Sequence, residues 1–397
     1  MGLFFQKGEL RLLWPIYLQF LFANMFFFFP TFHALYFRSL GFSFFQIGLF
    51  WAIENIASLL FEVPTGAFAD LYGRKRSVIL GYLLQSVATL LILFSVDFYV
   101  LGMIHALWGI GSAFQIGAIE AWVVDLLQKK NPSLLTYYFT HHRVMRGIGL
   151  TISGFLGAIF VNYSGLGVIW IFASIAYTVA ALLLMFGKEH FKKIDTSTYV
   201  KDFMQHIKSS FTFSLFHPVI FSFLMAAIAL IFARDFSSLT IWTPLLKDLH
   251  FSDHAFGYLL SAIAIISVIA PLLSKKFLKV SKEKSFIIIS LVFAALFSFM
   301  IFTTTTLALA LLVYLGVFFF MDLKVPAQRM FFHKFVPSNQ RASIASVEAM
   351  IGHLFTAIAF PIAGYLTDHF SARYTIFISG IFIVVAIIIY LNIREET

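Results

Sequence analysis

Cysteine is absent from this chain of 397 residues, which excludes disulfides, thiol nucleophiles and thiolate metal sites. Charge is scarce as well. Lys, Arg, Asp and Glu together make up 12% of the residues, against about 25% in an ordinary soluble domain. Acids are the rarer sign, 19 against 28 Lys and Arg. No Gly-x-x-x-x-Gly-Lys-Ser/Thr loop occurs, so nothing supports ATP-driven chemistry. The period-two alternation of a closed β-barrel is also missing.

What fills the chain is apolar: 60% hydrophobic residues, with 52 Phe. The Phe residues fit lipid-facing and packing roles. A spanning helix needs about 20 apolar residues, so the length has room for about twelve with short loops. The apolar runs place them at roughly 10–37, 45–69, 77–96, 99–127, 140–163, 166–187, 214–246, 254–274, 285–303, 307–331, 342–367 and 372–393. The fold expected is an all-α membrane protein of twelve transmembrane helices. Lys7, Glu9 and Arg11 precede a run too long for a cleaved signal, so the first helix acts as an uncleaved insertion signal.

Charge position sets orientation. With the N-terminus inside, 24 of the 28 Lys and Arg fall on inner segments, three (Arg38, Lys247, Arg373) on outer ones, and Arg234 lies within the membrane. That asymmetry places both termini in the cytoplasm. The net charge of +9 therefore belongs to inner loops, not to a nucleic-acid surface. The polar stretch 189–213 divides the spans six and six, into bundles 1–188 and 214–397. Within it, Phe203, Ile207 and Phe211 suit a helix lying on the membrane surface as well as they suit a solvated loop.

An internal repeat supports this division. Leu40-Gly-Phe42-Ser43 followed by Gly48 matches Leu249-His-Phe251-Ser252 followed by Gly257, at one offset of 209 residues. Both copies sit at the outer junction of the first and second spans of a half.

Between the second and third spans lies Gly66-Ala-Phe-Ala-Asp70-Leu-Tyr-Gly73-Arg74-Lys75-Arg76, preceded by Glu62-Val-Pro64. Gly73 suits a tight turn, and Gly66 suits close helix approach. Asp70 suits hydrogen bonding to a helix N-terminus. This stretch resembles the loop between helices 2 and 3 of the major facilitator superfamily. The resemblance implies two pseudo-symmetric six-helix bundles built from parallel repeats. It also implies a conformational latch of Gly66, Asp70, Gly73, Arg74 and Lys75, with Arg74 pairing with Asp125 at the inner end of helix 4. Glu62-x-Pro64-x-Gly66 is similar to drug/proton antiporters. Gly109-Ile-Gly111 resembles a second family motif, with His105 where that motif has Arg. Gly147 through Gly157 resembles the antiporter motif without its Pro.

Ionisable groups at membrane depth cost about 2.5–3.5 kcal/mol each on insertion scales and so mark function by default. Helices 1, 4, 7 and 10 line the path in the family, which makes Asn24, Gln115, Arg234, Asp235 and Asp322 cavity candidates. Glu54, His105, Glu120, Glu348 and His353 are candidates for proton coupling or gating. Adjacent helical residues point about 100° apart, so Arg234 and Asp235 are not expected to face one another: each needs its own partner, or one lines the cavity. Structural ion pairing is the plain alternative for any one of these groups.

The reading is a secondary active transporter working by alternating access, with proton-coupled efflux of small amphipathic compounds foremost. Carriage of a specific metabolite or anion is the alternative. A membrane enzyme has little support, since the adjacent His141 and His142 project to different faces. A non-transporting sensor has no signalling domain behind it. Expected partners are a small-molecule substrate, protons and the bilayer. No cofactor, metal or nucleic acid is expected; the protein should be a monomer in a bacterial inner membrane.

Overall fold

The computed structural model describes residues 5–189, 216–278, 282–336 and 341–393. Among the described residues all regular structure is helical. Lipid offers backbone N–H and C=O groups no water, so apolar runs close their hydrogen bonds within a helix.

Twelve helical segments are long and apolar enough to cross a membrane. Spans 1 to 6 are Glu9–Ser39, Phe44–Tyr72, Arg74–Phe94, Phe98–Lys130, Pro132–Ser164 and Val168–Met185. Spans 7 to 12 are Pro218–Asp248, Ala255–Phe277, Glu283–Thr303, Leu307–Phe335, Ile344–His369 and Ala372–Asn392. The expected boundaries move most at span 5, which opens at Pro132 instead of near 140. Asn131 accepts a hydrogen bond from Ser133 N (3.3 Å) there, and Pro132 starts the first turn. A helix needs no apolar side chains to continue into the polar zone, so hydropathy alone cut it short. The proposed surface helix through Phe203, Ile207 and Phe211 lies outside the described residues.

The repeat is visible in the elements themselves. Glu9 and Pro218, Arg74 and Glu283, and Phe98 and Leu307 open corresponding spans, each pair 209 residues apart. Spans 3 and 9 both end in a 3-10 turn, Ile92–Phe94 and Met300–Thr303. At the outer junction, Phe42 N donates to Phe37 O (3.1 Å) and Phe251 N to Leu246 O (2.9 Å). Gly41 is left-handed (φ 91°), and so is its counterpart His250 (φ 61°). His250 is the single non-glycine with positive φ among the described residues, a conformation that costs roughly 1 kcal/mol for a side-chain-bearing residue. His250→Gly should therefore stabilise the protein by up to about 1 kcal/mol, read as a higher melting temperature in detergent.

Spans 1, 4, 7 and 10 are each broken in the middle. Their helical pieces are Glu9–Met25 and Phe29–Ser39, Phe98–Ala113 and Ala118–Lys130, Pro218–Phe236 and Leu239–Asp248, and Leu307–Leu323 and Val325–Phe335. Gly117, left-handed at φ 72°, restarts span 4. Pro326 sits in the first turn after the last break, where its missing N–H is tolerated.

The chain packs as two compact units. Unit 1 holds the described parts of Met1–Tyr36, Ile53–Val200 and Asp253–Ser261; unit 2 holds those of Phe37–Ala52, Lys201–Ser252 and Ala262–Thr397. Each includes a short stretch from the other half of the sequence. In unit 2, Asp368 accepts from Phe44 N (3.0 Å) and Phe45 N (2.8 Å) at the start of span 2. Nearby, a Cβ on Gly48 would fall 2.5 Å from Phe360 O. In unit 1, Ser261 Oγ donates to Thr151 O (2.7 Å), and a Cβ on Gly257 would fall 2.4 Å from Gly154 O. The matched glycines of the repeat are thus places where two backbones touch. The unit 1 core gathers around Trp122, Leu126 and Tyr138, and the unit 2 core around Phe223, Leu291 and Tyr390.

Candidate transport site

All five cavity candidates lie at the helix breaks. Asn24 precedes the break in span 1 and Gln115 lies in that of span 4. Arg234 and Asp235 close the first piece of span 7, and Asp322 closes that of span 10. Breaks expose backbone groups that a continuous helix would consume, and proteins tolerate them where they line a cavity. In unit 1, Asn24 Nδ2 donates to Phe20 O (2.7 Å) and Gln115 Nε2 to Gln85 Oε1 (2.6 Å).

Unit 2 contains a cavity of about 400 Å³. Arg234, Asp322, Lys324 and Glu348 reach it from spans 7, 10 and 11, set among Leu230, Phe318, Met321 and Ile383. A cavity of about 350 Å³ shares Gln328 and Glu348 with it and adds Arg329 and His333. Asp322 accepts from Ser267 Oγ (2.6 Å), and Lys324 Nζ donates to Gln328 Oε1 (2.7 Å). Lys324 is only 5% exposed. Sequence reasoning counted it merely as an inner-side charge. Its position between Asp322 and Pro326 was the available signal, since a Pro inside an apolar run marks a helix break.

One expectation is corrected, although Arg234 does line the cavity. Arg234 and Asp235 do pair: Arg234 Nε donates to Asp235 Oδ1 at 2.8 Å, and an Arg234 Nη donates to Thr356 Oγ1 at 2.9 Å. Their Cβ directions diverge, but the Arg side chain is long enough to fold back across that angle, and the helix ends one residue later. The Asp235 side chain is 2% exposed and that of Arg234 59%, so the carboxylate is buried behind a guanidinium that faces open space.

The gating candidates differ in burial. Glu348 lines both cavities. His353 is half-buried in span 11, and Glu120 is exposed on the second piece of span 4. Glu54 is buried in span 2, where its Oε2 has no hydrogen-bond partner among the described atoms. His105 is buried with Nε2 3.2 Å from His33 Nε2 and Nδ1 2.8 Å from Leu101 O. A second buried cluster went unforeseen: Glu9 takes the Tyr17 hydroxyl at 2.5 Å and lies 2.5 Å from His141 Nδ1.

At the turn between spans 2 and 3, Gly73 (φ 104°) opens span 3. Arg74 forms an ion pair with Asp125 and lies 3.7 Å from Asp70. Lys75 Nζ donates to Met185 O (2.6 Å) and Gly187 O (2.8 Å) at the end of span 6. Two details differ from expectation. No described atom lies within 4 Å of a Cβ built on Gly66, so that glycine permits no close approach here. The carboxylate at the N-terminus of span 3 is Glu189, which accepts from Lys75 N at 2.9 Å. Asp70 instead faces Arg74, one helical turn away.

Polytopic helices, two of them broken beside a cavity that holds charged groups, are the build of a membrane carrier. The sequence pattern of the Major Facilitator Superfamily matches residues 17–354, and the chain belongs to that family. It is 24% identical over 374 residues to the uncharacterised MFS-type transporter YxaM of Bacillus subtilis (strain 168), covering 90% of this chain and 89% of that one. It is 25% identical over 360 residues to multidrug resistance protein 2 of the same organism, covering 86% and 84%. The crystal structure of the nucleoside transporter NupG superposes with a TM-score of 0.76 at 16% identity, covering 96% of this chain and 98% of that one. The protein is thus a multi-pass membrane carrier with the twelve-helix fold of its superfamily.

Proposed function

We propose that this carrier exports small amphipathic compounds in exchange for protons by alternating access. The observation that carries the reading is the unit 2 cavity, which Asp322 and Glu348 line together with Phe318, Met321, Leu230 and Ile383. Apolar surface of that extent holds a hydrophobic body without demanding a fixed hydrogen-bond pattern. Carboxyl groups beside it supply a proton site that substrate can compete for. Similarity to a multidrug resistance protein points the same way.

In this reading bundles 1–188 and 214–397, joined by 189–213, rock about a site at the helix breaks. Asn24, Gln115, Arg234, Asp235 and Asp322 contact substrate. Glu54, His105, Glu120, Glu348 and His353 govern coupling or gating. Gly66, Asp70, Gly73, Arg74, Lys75 and Asp125 form the latch. The protein works as a monomer in a bacterial inner membrane with both termini cytoplasmic. The exposed Arg234 guanidinium and the buried Lys324 ammonium favour a second reading, carriage of a specific metabolite or anion.

Flux in proteoliposomes tests both. With an imposed pH gradient, ethidium should move against proton flow, and ethidium should in turn drive proton movement. Ethidium movement without proton movement would overturn the coupling. Movement of benzoate but not ethidium would select the second reading.

A further inference from the structure

We infer that residues 185–189, and Glu189 above all, are a splint that positions the Arg74–Asp125 ion pair. The inference rests on the proposed role of that pair as a conformational latch. The two ends of the pair come from different elements, the first turn of span 3 and the second piece of span 4, and this five-residue segment grips both.

On the Arg74 side it makes three contacts with the next residue. Met185 O and Gly187 O accept from Lys75 Nζ at 2.6 and 2.8 Å, and Glu189 Oε1 accepts from Lys75 N at 2.9 Å. The Glu189 carboxylate sits where the positive end of the span 3 dipole and its unpaired N–H groups favour an anion. It also lies against Gly73, where a Cβ would meet Glu189 Oε2 at 3.0 Å. On the Asp125 side, Lys188 O accepts from Trp122 Nε1 at 2.9 Å. Trp122 is fully packed, and a Cβ on Gly187 would lie 2.7 Å from its ring. Trp122 and Asp125 are about one helical turn apart, so docking Trp122 holds the stretch of helix that carries Asp125.

The ion pair on its own is poorly held. The Arg74 and Asp125 side chains are 25% and 53% exposed, and a partly exposed ion pair gains little from its own attraction. Segment 185–189 supplies the missing constraint by backbone carbonyls and one carboxylate.

A double-mutant cycle on initial ethidium flux in proteoliposomes tests this. Glu189→Ala should lower the rate about fivefold, the equilibrium shift that loss of one helix N-terminal cap produces. In an Arg74→Ala background the same change should cost less than about twofold, because a positioning residue has nothing left to position. Glu189→Gln keeps an acceptor for Lys75 N and should retain most of the rate, while melting temperatures close to the parent's show that all variants fold. A wild-type rate in Glu189→Ala, or an equal loss in both backgrounds, would overturn the splint. If Arg74→Ala itself transports normally, it is the latch reading that fails.

Discussion

Arg234→Met should destabilise this protein far more than Asp235→Asn does. The two residues form one ion pair, but their environments are unequal: the Asp235 side chain is 2% exposed and that of Arg234 59%. Removing the guanidinium leaves a buried carboxylate whose Oδ2 already lacks a hydrogen bond among the described atoms. Breaking a buried pair from one side costs about 3–5 kcal/mol, because the remaining charge is desolvated and uncompensated. Removing the carboxylate charge instead leaves a guanidinium that still reaches open space and Thr356 Oγ1. We therefore expect a melting temperature several degrees lower for Arg234→Met, a small change for Asp235→Asn, and recovery of most of the loss in Arg234→Met/Asp235→Asn. Equal losses in the two single variants would show that Asp235 is hydrated after all. Transport should fail in both single variants if the pair also contacts substrate. The double variant then separates the two roles, since it regains stability without regaining flux.

This pair also shows where sequence reasoning stops. The twelve spans, the repeat and the turn around Gly73 were legible because they depend on local properties: apolar length, a matched Leu-x-Phe-Ser motif, a glycine with φ 104°. Arg234 and Asp322, which line the unit 2 cavity, stood out because ionisable groups within apolar runs are conspicuous. What they touch was not legible. The fold-back of Arg234 depends on a helix ending at Phe236, which no residue type announces. His33 and His105 meet across 72 positions, and Glu9 and His141 across 132. His105 stood out in its own segment, but nothing there pointed to His33, and nothing near Glu9 pointed to His141. Glu189 looked like one charge in a polar linker, and only the fold brings it to the N–H of Lys75. Gly66 erred the other way: its motif suggested a crowded contact, yet a side chain there would meet open space among the described atoms. A motif transmits spacing, and spacing alone does not say which neighbour arrives.

Reversing the charge at the turn should separate folding from function. Arg74 pairs with Asp125 and lies 3.7 Å from Asp70. Partly exposed ion pairs contribute about 0–1 kcal/mol to stability, so Arg74→Asp should fold and melt nearly as the parent does. Transport is another matter. A carrier that alternates between two states divides its time by their free-energy difference, and tenfold in that division corresponds to about 1.4 kcal/mol. Arg74→Asp replaces attraction to Asp125 and Asp70 by repulsion from both, so ethidium flux should fall about tenfold or more by that measure. Adding Asp125→Arg restores one attraction across the same two positions. Recovery should be partial, because a carboxylate at position 74 still faces Asp70 and sits close to Glu189, which lies against Gly73. If the swapped pair recovers nothing while the single variants stay folded, Arg74 acts through some contact other than Asp125. If Arg74→Asp transports like the parent, the pair is a surface ornament of the turn and the latch must be sought elsewhere, first at the Asp368 carboxylate that holds the start of span 2.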